Sequence, residues 1–212
     1  LGLIALYYKD DLASAEIHFG NAAKYARPRS TRARIKALEQ LAIAKWRGGK
    51  HKGALEAALQ IYELRPDDLE VQYQVARYRA YVENRNKFLG DLDLCVKSDP
   101  HYLVVAQHDP ILQNLQDDVI EFSERLRSEV EGVITKRIAY LECLLREAEQ
   151  LDFDVFNLRV SLSGVRTSLA NRGYLDLLEI LPQVETLCRT YPDDWKKRGD
   201  QARRMGMEDD GE

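Results

Sequence analysis

Cysteine is scarce in this chain, and so are the residues that break helices. The 212 residues include 3 Cys, 6 Pro and 12 Gly. Cys95, Cys143 and Cys188 are widely separated and odd in number, which argues against a disulfide framework and a zinc site and points to a reducing, cytoplasmic compartment. No apolar run approaches the length of a bilayer span. Charges nearly cancel, 31 Lys and Arg against 35 Asp and Glu, so the net charge of −4 gives no global pull toward nucleic acid. The strings GxxxxGK[ST], GxGxxG, HExxH and GxSxG do not occur, so phosphate-cradling and nucleophile-elbow signatures are missing. His101 and His108 lie two helical turns apart with a loop expected between them, and read as surface or capping residues. The expectation is a non-enzymatic chain with no catalytic residue, cofactor or metal.

What the sequence does hold is helical periodicity. Apolar residues recur at steps of three and four between the sparse Gly and Pro, and no alternating run is long enough to argue for a sheet. Helices are expected at about 1–9, 12–26, 31–47, 51–64, 69–82, 86–98, 101–106, 110–150, 154–171, 174–190 and 194–205. Pro66 and Pro100 stand 34 residues apart, each closing a helical hairpin. In that register Leu41 and Ala42 sit above Val75 and Ala76, and Leu55 above Leu89. A period of this length implies a stacked scaffold rather than a single catalytic core.

These residues resemble the tetratricopeptide repeat (TPR) family. Leu41, Ala42, Gly49, Ala54 and Pro66 supply one unit; Val75, Ala76 and Pro100 keep part of a second, with Glu83 in place of the turn Gly and Phe88 in place of Ala54. Leu1 and Gly2, then Ala15, Phe19 and Ala22, fit a third copy lacking its front, so the chain reads as a fragment. The resemblance implies an all-α, right-handed solenoid of hairpins over 1–100. The segment 101–116, with Asp109 and Pro110, resembles the tail that closes such arrays.

Beyond it, residues 117–205 are expected to form a long helix, a helical hairpin and a capping helix, and 206–212 an acidic disordered tail. The long helix carries a stripe of Val119, Phe122, Leu126, Val130, Val133, Tyr140, Leu141, Leu144, Ala148 and Leu151. Arg137 interrupts that seam, so folding back within the chain is expected, with dimerisation through this helix the alternative. Pro182 should kink or break its helix. TYPDDW (190–195) echoes LRPDDL (64–69) and suggests another degenerate repeat end.

First helices line the concave face in this family. The resemblance therefore implies a partner-binding groove of Lys36, Glu39, Ile43, Trp46 and Arg47 with Tyr73, Arg77 and Tyr81. Trp, Tyr and Arg dominate binding hot spots, and such a groove suits a peptide or helix. The Lys and Asn that clamp chaperone tails in some members are replaced here by Glu39, Ile43, Tyr73 and Arg77, so that ligand is not implied. Arg27, Arg29, Arg32, Arg34 and Lys36 form a separate basic patch, placed against the positive end of a helix dipole, where it does not serve local stability. The expected function is a protein-interaction scaffold. The alternatives are a regulatory or sensor domain whose catalytic partner domain lies elsewhere and, more weakly, nucleic-acid binding through the basic patch.

Overall fold

The computed structural model describes residues 1–26, 30–150, 154–170 and 172–209. All regular structure among the described residues is helical. The helices are α1 (Gly2–Tyr7), α2 (Leu12–Tyr25), α3 (Thr31–Arg47), α4 (His51–Leu64), α5 (Leu69–Val82), α6 (Arg85–Ser98), α7 (His101–His108), α8 (Gln116–Gln150), α9 (Phe156–Leu169) and α10 (Tyr174–Asp209), with a 3-10 turn at Pro110–Leu115. None is long and apolar enough to cross a membrane. The chain divides into two compact units, Leu1–Ile120 and Glu121–Glu212.

In the first unit α1 to α6 pack in sequence, each on the next. Side-chain caps set several starts. Asp11 accepts from the Ser14 N–H at 3.0 Å, Asp68 from Glu70 at 3.1 Å and Asn84 from Asn86 at 2.9 Å. Small residues hold the helices close: Ala15, Ala44, Ala54, Ala58 and Ala76 are all fully buried. In α2 the buried set is Ala15, Phe19 and Ala23, while Ala22 is exposed, so Ala23 takes the buried position where Ala22 was expected.

The two turns differ for a local reason. Gly49 has φ +73, a left-handed conformation that favours glycine, whereas Glu83 at the matching position has φ −115 and ψ −148. An extended residue followed by the Asn84 cap makes the second turn without a glycine. Phe88 is as fully buried as Ala54, so the second hairpin takes a ring where the first has a methyl.

In the second unit Ile134, Ile138 and Leu141 of α8 share one core with Leu158, Leu162 and Val165 of α9 and Leu177, Ile180 and Val184 of α10. The long helix therefore folds back within its own chain. Its buried stripe includes Ile134 and Ile138, while Val133 and Tyr140 of the expected stripe are exposed; Leu151 lies outside the described residues. Arg137 meets Glu185 of α10 at 2.9 Å, and α9 pairs Arg159 with Glu149 and Arg166 with Glu142 of α8.

Helix α10 corrects four expectations. It contains Pro182 and Pro192 without interruption, so there is no break before Pro182, no repeat end at TYPDDW and no separate capping helix. It also extends to Asp209, where a disordered tail was expected from residue 206. Leu177, Ile180 and Val184 anchor it on both sides of Pro182. Tyr191 and Trp195, with ring centroids 5.8 Å apart, pack on the same core across Pro192. Burial on one continuous apolar face outweighs the roughly 3 kcal/mol that an interior proline costs.

Candidate protein-interaction face

Side-chain contacts bypass the intervening second helices and join α1, α3, α5 and α7 into one face. The Tyr7 hydroxyl donates to Gln40 Oε1 at 3.0 Å, and Arg47 donates to the Leu6 carbonyl at 3.2 Å and to Asp10 at 2.6 Å. Trp46 meets Tyr81 edge-on at 4.8 Å. Tyr73 stacks at 5.2 Å on Tyr102, whose hydroxyl donates to Glu70 at 3.2 Å.

Aligning Gly2 with Ala42 and Ala76 places Leu3, Ile43 and Arg77 in one row across the face and Tyr7, Arg47 and Tyr81 in the next. Leu3 and Tyr7 are 54% and 56% exposed. Lys36 is exposed, and Glu39, Ile43, Trp46 and Tyr81 are half-buried. Trp46 also packs against His51 at 4.3 Å and Tyr78 at 5.4 Å. The result is a partly wet aromatic ledge backed by the core.

The α5 side of this face is closed. Tyr73, expected to line an open groove, is only 2% exposed. Its hydroxyl donates to Asp109 Oδ2 at 2.9 Å, and Arg77 Nη1 lies 3.5 Å from the same oxygen. Asp109 Oδ1 accepts from the Ile111 N–H at 2.9 Å, capping the 3-10 turn. Burial, then the Asp109 carboxylate, pushes the Tyr73 hydroxyl far above the usual phenol range. Burial and Glu70 push Tyr102 up to about 12. The Asp-Pro step that resembles an array-closing segment thus fills the end of the stripe, and Tyr73 and Arg77 serve that closure. Arg47 is likewise engaged, bracing the end of α1.

The basic patch is described in part. Arg27 and Arg29 lie outside the described residues. Arg32, Arg34 and Lys36 are exposed, and none forms an ion pair among the described residues. The first turn of α3 carries no acidic side chain. Among the described residues no group of three His, Cys, Asp or Glu could hold a metal. His101 caps locally through Asp99, and His108 bonds the Val104 carbonyl at 2.9 Å.

Leu3 and Tyr7 are the residues that sequence reasoning passed over, although the alignment of Leu1 and Gly2 with Leu41 and Ala42 already carried them into the groove columns. Comparison with protein-family models, with curated proteins and with solved structures returns no match.

Proposed function

We propose that this chain is a non-enzymatic protein-interaction module of TPR type, its first unit a right-handed solenoid that receives a peptide or helix of a partner on the first-helix face. The observation that carries this reading is the ledge of Leu3, Tyr7, Ile43, Trp46 and Tyr81, half-exposed apolar and aromatic side chains aligned across α1, α3 and α5. Rings of this kind contribute large contact area at low entropic cost. Binding is centred on α1 and α3, because the α5 end is occupied by Asp109 and Tyr102.

The test is affinity capture of partners by the intact protein, followed by calorimetric titration of the identified ligand against Tyr7→Ala and Tyr81→Ala. Each should weaken binding by about 1–3 kcal/mol, the hot-spot range, at nearly unchanged melting temperature. Unchanged affinity in both variants removes the face from consideration.

A second reading attaches to the exposed Arg32, Arg34 and Lys36, which form no ion pair among the described residues: an anionic partner docking at the start of α3. Arg32→Glu with Arg34→Glu should abolish a salt-sensitive association without unfolding the protein. Retention of the same partners at low salt would reduce the patch to solvated surface.

A further inference from the structure

Helix α1 and its flanks expose a second apolar stripe, distinct from the ledge. Gly2, Ala5 and Leu6 are buried, and a Cβ added at Gly2 would meet the Phe19 ring of α2 at 2.9 Å. Leu3 and Tyr7 belong to the interaction face. Leu1, Ile4 and Tyr8, at helical steps of three and four, form the remaining stripe and are 85%, 50% and 86% exposed.

The fold repeats this position twice more, and both times it is covered. Leu1 corresponds in register to Leu41 and Val75, which are 8% and 4% exposed; Ile4 corresponds to Ala44 and Tyr78, which are 0% and 1% exposed. The cover is the second helix of the preceding hairpin. Leu41 lines a cleft with Ala23 and Lys24 of α2, and Val75 lines one with Tyr62 of α4. One buried cluster runs through α2, α3, α4 and α5 and reaches α1 at Ala5 and Leu6, so an added helix would extend a core already in place.

We propose that Leu1, Ile4 and Tyr8 are the docking surface for one further amphipathic helix of the α2 and α4 kind. That helix presents an aliphatic and alanine stripe such as Leu55, Ala58 and Ile61 of α4, all at most 5% exposed in the first core. The side chains of Leu1, Ile4 and Tyr8 carry no charge, so this docking is apolar and insensitive to salt, unlike binding at Arg32 and Arg34.

The experiment supplies the helix from the protein itself. A second copy of residues 51–74 is placed directly ahead of Leu1, so that Leu1 takes the position that Val75 has after α4. The fused protein should melt on the order of 5 °C higher than the original and bind less of an apolar dye. Ile4→Lys should erase the gain in the fusion, yet leave the original protein's melting temperature unchanged because Ile4 is half-exposed there. A helical, monomeric fusion with no gain overturns the proposal, as does a gain that survives Ile4→Lys. An original protein that is dimeric, and that Ile4→Lys renders monomeric, overturns it in favour of a second copy as occupant.

Discussion

Asp109 shows how one buried carboxylate changes the meaning of residues around it. Tyr73 and Arg77 fall at a four-residue step on a first helix, and the sequence alone makes them look like ligand contacts. Asp109 lies 36 residues from Tyr73, and only the fold brings it close enough to accept from that hydroxyl. Tyr73→Phe should therefore cost stability, about 1.5–3 kcal/mol for a hydrogen bond to a charged group, rather than affinity. The pH dependence has a definite sign. Because the folded state holds the Tyr73 proton far above the usual phenol range, its contribution is complete below about pH 10 and declines as pH rises and the unfolded chain ionises first. Denaturant melts of the two proteins should differ most at neutral pH and converge above pH 10; a gap that widens there would contradict the assignment.

At the scale of the element, what was legible depended on whether local signals and tertiary burial agreed. Helices α3, α4 and α5 match their expected spans, since turns and apolar period coincide, with the Asp68 cap added at the start of α5. LRPDDL ends α4 and its Asp68 caps α5, whereas TYPDDW lies inside α10. The two strings differ in their flanks: Tyr191 and Trp195 pack on the second core four residues apart and keep the helix continuous. In α8 most of the expected stripe is buried, from Val119, Phe122 and Leu126 to Leu141 and Ala148, but Ile134 and Ile138 take the core positions where Val133 and Tyr140 were expected, because neighbouring apolar side chains compete and only the position of α9 and α10 decides between them. Pro182 is exposed and removes a hydrogen bond to the Leu178 carbonyl without adding contacts to the core. Pro182→Ala should raise stability by about 1–2 kcal/mol, less than the full helix penalty because proline also restricts the unfolded chain. A lower melting temperature would mean that the proline fits a bend the packing requires.

For the whole molecule, the all-helical class and the change of character after the hairpins could be read from periodicity, while the closed end of the groove could not. It depends on contacts between residues far apart in sequence, Tyr73 and Arg77 with Asp109. Each unit holds a buried cluster, in the first the alanines and Ile61, in the second Leu141 and Leu158. The proposed binding face belongs entirely to the first. Leu141, fully buried, should cost about 2–5 kcal/mol on truncation to Ala, yet partner affinity measured well below the melting temperature should stay unchanged. Ile61→Ala, an equally buried change in the first core, should reduce both stability and affinity, because α4 supports the helices that carry Ile43, Trp46 and Tyr81. Paired melting curves and titrations on these two variants separate the roles of the units. If Leu141→Ala weakens the partner as much as Ile61→Ala does, the binding surface extends into the second unit and the ledge is only part of it.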